Sequence, residues 1–508
     1  MSVKKTNVSD QSKIGQFITE LRTMKGWNQS EFAKALNTSQ SAVARMEKGD
    51  QNFTTEMLSK ISLVLNREVI TLGNKSMNFK ISGGYKLSGR IATNTSKNAA
   101  VGLLCASLMN RGKTLLRRVP KIEEVHRICE VLSSIGVVLR WQGDDLLLDA
   151  TSIDLSKMNI ESAKKTRSII MFLGALASRL PSFSIPLAGG CKLGDRTVTP
   201  HIYGLEKFGL EIAETECDYQ ASSKKMKASA VVLYEMGDTV TENVLMAASQ
   251  IPGWSTIKMA SSNYMVQDLC HFLVKLGVQI EGIGTSVLRV YGKRDISQSV
   301  EYELSEDPIE SMFFLSLAIC TESEIVIEAC PIDFLELELL KLEKMGFKYK
   351  ISKRYKGRNG VVNLVDIETF PSKLTALADK IHPMPYPGLN IDNLPFFVPI
   401  ACRAEGETLI HDWVFENRAI YYTELNKLGA NITLADPHRV YVHGVVEFQK
   451  ADLVCPPALR PAAIMLIAML AAKGDSVLRQ VYSINRGYED LAGRLKTLGA
   501  KIEMVGGF

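Results

Sequence analysis

Three short segments of this 508-residue chain carry residue types that packing does not call for. In Ser96-Lys97-Asn98-Ala99-Ala100, a lysine and an asparagine stand just ahead of an apolar helix, where free backbone N–H groups favour an anion. A cation at that place is unfavourable unless an anion joins it. In Gly189-Gly190-Cys191-Lys192-Leu193-Gly194-Asp195-Arg196, a glycine-rich loop holds one thiol close to two cations, Lys192 and Arg196. That setting favours the thiolate, and the glycines leave the loop free to act as a lid. The third set is Arg418 in Phe415-Glu416-Asn417-Arg418, Arg460 in Ala458-Leu459-Arg460 and Arg486 in Asn485-Arg486-Gly487-Tyr488-Glu489. One arginine is usually a surface ion pair; three at matching places suit two-pronged contacts to carboxylate or phosphate.

The elements that must hold these residues repeat. Six copies of one phrase, an amphipathic helix ending in Gly and then a strand, place that Gly at 136, 209, 277, 346, 429 and 499. A glycine there caps the helix in a left-handed conformation and turns the chain directly into the strand. Ahead of each phrase runs an apolar helix, such as 99–108, 168–178 or 462–472, usually followed by a strand such as 114–116, 324–327 or 408–410. Each α/β unit of about 70 residues cannot bury both apolar faces alone, so the units must pack together. A solenoid is one solution. Six units with nearly all-apolar helices favour closed bundles with the helices inside.

The first 75 residues differ. They hold 11 Lys/Arg against 7 Asp/Glu, most of the chain's net charge of +5, and read as four short helices: 14–25, one opened by Asn28-Gln29-Ser30-Glu31, 40–48 and 54–65. The spacing of Gln29, Ala33, Ser39, Gln40, Val43, Arg45, Glu47 and Gly49 resembles the phage-repressor-like helix-turn-helix family. That resemblance implies that Gln29, Gln40 and Ser41 face bases or phosphates of double-stranded DNA, with Lys34 and Arg45 nearby, and it suggests a dimer. The competing reading is a protein-interaction module of the same fold in which Arg45 pairs with an acidic neighbour such as Glu31.

Composition excludes other classes. With 23% charged and 46% hydrophobic residues the chain is neither disordered nor membrane-spanning, and its longest apolar run, 461–472, is short of the roughly 20 residues a membrane helix needs. The start MSVKKTNVSDQSK holds no apolar signal region, so a cytoplasmic protein is expected. Nine scattered cysteines without a CxxC pair argue against a disulfide framework or a zinc site; most should be reduced and buried.

Together, the repeat and the three segments resemble the enolpyruvyl transferases from about Asn78 to the C-terminus, and within them the Gly-Gly-Cys loop favours the branch whose acceptor is UDP-N-acetylglucosamine. The resemblance implies an α/β (α+β) fold, an inside-out α/β barrel of two domains with three repeated units each and the active site between them, preceded here by the all-α module of residues 1–75. One domain would span 97–304 and the other would combine 76–96 with 305–508. It also implies phosphoenolpyruvate as donor, peptidoglycan precursor synthesis as the setting, and neither metal nor organic cofactor. By carry-over, Lys97, Arg196 and Arg486 would hold the phosphate, Arg418 and Arg460 the carboxylate, with Asn98 and Arg167 near the substrates. Cys191 would be the loop proton donor or adduct former, and Asp392, after Tyr386-Pro387-Gly388, the base touching the sugar. Asp307 and Glu310 would support the catalytic group, and His201 and His382 would orient loops. Two segments depart from the family pattern: Gly237-Asp238-Thr239 replaces Ser-Val-Gly, and Ser262-Asn263-Tyr264-Met265 replaces an acidic pair. Alternative functions are transfer to a different acceptor alcohol, or a transcriptional regulator whose transferase-like domains sense phosphoenolpyruvate or a nucleotide sugar.

Overall fold

Gly136, Gly209, Gly277, Gly346, Gly429 and Gly499 all adopt left-handed φ angles between +84° and +98°. Each is followed within two residues by a strand: Val138–Gln142, Glu211–Glu214, Gln279–Glu281, Lys348–Ile351, Asn431–Asp436 and Lys501–Val505. The expected punctuation is therefore structural, because only a residue without Cβ enters this conformation at little cost. The computed structural model describes residues 10–51, 53, 55–65, 77–187, 197–223 and 226–506.

The strands form six sheets of three to five strands. Three sheets draw only on residues 113–303, whereas the other three combine 78–83 and 88–92 with strands between 324 and 505. The strand Asn78–Gly83 lies antiparallel between Gly474–Arg479 and Lys501–Val505, and Ser88–Ala92 runs parallel to Glu324–Pro331. Two three-sheet lobes result.

Inside the sheets lie helices that are buried on nearly every side and mostly apolar, as expected where little of a helix meets water, with a few polar side chains such as Glu242, Asn243 and Glu310 buried among them. The helix Pro308–Cys320 is buried at every position and packs on Leu459–Ala471 and Phe397–Cys402. In the other lobe Asp238–Ser249 is buried from Val240 onward. Two sequence expectations change in detail. The apolar stretch expected over 168–178 divides into a 3-10 turn, Arg167–Met171, and a short helix, Phe172–Leu176. The helix ahead of Gly429 is a 3-10 helix, Ala419–Leu428. Among the described cysteines all are free, and every one except Cys217 is buried.

The N-terminal helices are α1 (Asp10–Met24), α2 (Gln29–Ala35), α3 (Gln40–Lys48) and α4 (Thr55–Leu65). Asn28 and Glu31 close a capping box on α2, Ser39 caps α3, and Gly49 ends α3 at φ +74°. Ile18, Phe32, Val43, Leu58 and Ile61 anchor a small core separate from that of residues 77–502. No helix among the described residues is long and apolar enough to cross a membrane.

Candidate active site

Ser96 caps the helix α5 (Lys97–Ala106), accepting the Ala99 N–H at 3.2 Å, so Lys97 and Asn98 fall in its first turn. The Asn98 carboxamide and the Ser96 hydroxyl both donate to the buried Tyr264 Oη, at 3.1 and 3.2 Å. One Nδ2 hydrogen of Asn98 is thereby occupied, leaving the second N–H and the carboxamide oxygen to offer a ligand. Burial first, then Arg486 and Arg460, hold the Lys97 ammonium below the ordinary lysine value, while Glu124 and Asp392 oppose them.

Arg460 stands in the first turn of the helix Leu459–Ala471, and Arg418 immediately before Ala419–Leu428. Three helix N-termini thus converge with a cation beside each, an arrangement that opposes the helix dipoles unless an anion sits among them. Asp392 lies between the arginines: Arg460 Nη2 donates to Oδ2 at 3.2 Å, and Arg418 Nη1 is 3.7 Å from Oδ1. Burial would raise this carboxyl, but Arg460, Arg418 and Lys97 hold it below the ordinary aspartate range, so it is ionised at neutral pH. Arg418, 1% exposed, is fixed by Asp412 at 2.5 and 3.0 Å and by the Ile391 carbonyl at 2.7 Å, and its guanidinium lies 4.2 Å from the Phe415 ring centroid. Arg460 also donates to Tyr488 Oη at 2.9 Å.

Across the cleft, Arg486 pairs with Glu124 at 3.5 Å, and Thr166 donates to the other Glu124 oxygen at 3.0 Å. Arg167 donates to the Thr197 carbonyl at 3.3 Å. Lys97, Asn98, Arg167, Asp392, Arg418, Arg460 and Arg486, expected from separate segments, all line this one cleft between the lobes. Cys191 and Arg196 lie outside the described residues.

Glu124, Asp238, Glu242 and Asn390 line the cleft as well and were not anticipated. Asp238 stands in the segment 237–239 that departs from the family pattern, whereas the other three carried no such signal, and the position of Glu124 in an amphipathic helix reads as ordinary surface charge. Asp412 was equally silent, although its spacing of six residues before Arg418 brings the carboxylate back onto the guanidinium. His201, expected to orient a loop, lies instead within the helix Thr199–Glu206: it is buried, its Nδ1 lies 3.1 Å from Asn243 Nδ2 of the helix Asp238–Ser249, and burial lowers its pKa to about 3. Asp307 caps the helix Pro308–Cys320 through the Ile309 N–H at 2.8 Å, and Glu310 binds Arg494 and the Asn94 N–H, so neither lines the cleft.

In the N-terminal module Gln40, Ser41 and Arg45 are exposed along α3, and Lys34 is exposed on α2. Gln29, half-buried at the start of α2, donates one carboxamide N–H to Glu47 at 2.8 Å, and the nearly buried Glu47 also holds Arg22, partners that a buried carboxylate needs. Glu31 closes the cap on Asn28.

A cationic cleft built from helix N-termini between two lobes of sheet-wrapped helices is suited to binding small anionic substrates. Residues 81–495 match the family model for EPSP synthase (3-phosphoshikimate 1-carboxyvinyltransferase), and the chain belongs to this family of enolpyruvyl transferases. Residues 18–72 match a helix-turn-helix model. Similar proteins include the UDP-N-acetylglucosamine 1-carboxyvinyltransferases of Treponema denticola, 32% identical over 84% of this chain and 98% of that one, and of Thermodesulfovibrio yellowstonii, 30% identical over 84% and 99%. Among solved structures, the enolpyruvyl transferase NikO from Streptomyces tendae superposes with a TM-score of 0.74 over 85% of this chain and all of that one at 21% identity. An EPSP synthase from Acinetobacter baumannii gives 0.64 at 17%, over 85% of this chain and all of that one.

Proposed function

We propose that the chain transfers the enolpyruvyl group of phosphoenolpyruvate to the 3-hydroxyl of UDP-N-acetylglucosamine and releases phosphate, a cytoplasmic step in peptidoglycan precursor synthesis. The observation that carries this reading is the ionised Asp392 held between Arg460 and Arg418 in a cleft that Lys97 and Arg486 also line. The relatives that share most of the chain's length carry that activity in their names.

In the proposed mechanism Lys97 and Arg486, with Arg196, hold the phosphate, and Arg460 and Arg418 hold the carboxylate. Asp392 removes the proton from the sugar hydroxyl, whose oxygen bonds to the enol carbon as the methylene carbon is protonated, with Cys191 as the candidate donor. Loss of phosphate from the tetrahedral ketal, together with a proton from the newly formed methyl group, then restores the double bond. The preorganised arginines stabilise charge as it builds, since Asp412 and Tyr488 spare them reorganisation. Asn98 and Arg167 face the acceptor. Phosphate release from phosphoenolpyruvate with UDP-N-acetylglucosamine tests this: wild type should turn over, and Arg486→Ala and Cys191→Ser should be strongly impaired. Absence of release by folded wild type would sink the acceptor assignment.

The exposed row Gln40, Ser41 and Arg45 supports a second role for residues 1–75, binding of double-stranded DNA in the major groove. Fluorescence anisotropy against duplex DNA should give an affinity that falls with salt, weakened by Arg45→Ala.

A further inference from the structure

The segment 261–264, which overlaps the stretch Ser262-Asn263-Tyr264-Met265 that departs from the family pattern, joins three parts of the molecule around the cleft. Ser261 Oγ donates to Asp238 Oδ1 at 2.6 Å, Ser262 Oγ to the Tyr386 carbonyl at 3.3 Å, and Tyr264 Oη receives Ser96 and Asn98. Asn263, 9% exposed, connects the lobes. Its Nδ2 donates to Asp238 Oδ2 at 3.2 Å; its Oδ1 accepts from Asn390 Nδ2 at 3.3 Å and, as cap of the helix Tyr264–Lys275, from the Tyr264 N–H at 2.9 Å. The chain of bonds continues beyond the cleft, because Asn390 Oδ1 accepts the Asp392 N–H at 2.9 Å and Glu338 holds the Asn390 N–H at 3.2 Å and Asn393 Nδ2 at 2.8 Å.

We infer that Asn263 is a positioning residue that sets Asp392 of one lobe against Lys97 and Asn98 of the other through the path Asp238, Asn263, Asn390, Asp392. The inference rests on the reading of Asp392 as the base. A carboxamide suits the place because it donates to one neighbour and accepts from another at once. Arg460 and Arg418 hold the Asp392 end of the path within its own lobe, whereas the contacts of Asn263 with Asp238 and Asn390 are hydrogen bonds alone, so the register between the lobes along this path depends on those short contacts. Displacing a catalytic group by about 1 Å costs on the order of 100-fold in rate.

The test separates this role from capping. Serine is as good a helix cap as asparagine but is too short to reach Asn390 and Asp238. Asn263→Ser should keep the wild-type thermal midpoint and the KM for phosphoenolpyruvate within about twofold while kcat falls about 10- to 100-fold. The exchange Asp238→Asn with Asn263→Asp rebuilds every bond, with Asn donating to Asp and the second carboxylate oxygen accepting from Asn390, and should restore most of kcat. Wild-type kcat in Asn263→Ser, or an exchange variant that is folded yet no faster than Asn263→Ser, would overturn the inference. Asp392→Asn serves as the companion measurement. Wild-type turnover there would remove the base assignment and the inference with it, whereas loss there beside an unaffected Asn263→Ser would remove the positioning role alone.

Discussion

Lys97 is a cation held below its ordinary pKa by burial and by Arg486 and Arg460, in the first turn of a helix that repels it. Phosphoenolpyruvate binding requires the charged ammonium, so affinity should fall as pH rises through that depressed value. The alkaline limb of kcat/KM for phosphoenolpyruvate, which reports the free enzyme, should therefore lie below the ordinary lysine value of 10.5. Lys97→Arg should shift that limb upward at the expense of about tenfold in affinity, because the planar guanidinium stays charged but does not match the point contact. Asp268 shows the opposite sign. Burial raises its pKa from 3.8 to about 6, against the hydrogen bonds it accepts from Tyr302 and the Ser305 N–H. A carboxyl whose folded pKa is raised binds more protons folded than unfolded, so its contribution to stability is greatest below about 4 and is lost as pH rises to about 6. Asp268→Asn, whose carboxamide oxygen still accepts the Ser305 N–H while its nitrogen donates to Tyr302 Oη once that hydroxyl turns its proton away, should stabilise the protein at pH 8 by on the order of 2 kcal/mol and have little effect at pH 4. Urea unfolding at the two pH values checks this.

At the scale of elements, the repeated glycines and the buried helices make different demands. A Cβ at Gly499, φ +88°, meets no atom within 4 Å, so Gly499→Ala is penalised only by conformation, about 1–2 kcal/mol. Gly174 sits in the short helix Phe172–Leu176 where a Cβ would collide with the Asn243 carbonyl oxygen of the crossing helix. Gly174→Ala should lower the denaturation midpoint by more than Gly499→Ala, since backbone must move to admit the methyl group. The cap glycines were legible because their cause is local, a reversal of the chain within two residues. The 3-10 winding of Ala419–Leu428 was not, because helix type there follows from packing onto the Leu459–Ala471 helix rather than from propensity.

Across the whole molecule, two cores are separate: one anchored within 18–65 and one spanning 77–502. Removing residues 1–75 should leave the thermal midpoint of the transferase unit and its phosphate release unchanged; calorimetry and the release assay measure both. The residue types and order of the sequence, without any fold, pointed to the six-unit repeat, the basic N-terminal module, Lys97 and the three arginines, while Asp392 came from the family resemblance of its segment. These signals are short-range: a cap, a period, a cation where a helix begins. Only the tertiary structure decided which charges meet. Glu124 pairs with Arg486 across about 360 residues of chain, Asp412 fixes Arg418, Gln29 turns inward to Glu47, and Asn263 reaches Asn390 from the opposite lobe. Such pairings depend on how two lobes close over one cleft, and burial rather than spacing sets whether a carboxylate stays ionised or a lysine keeps its proton.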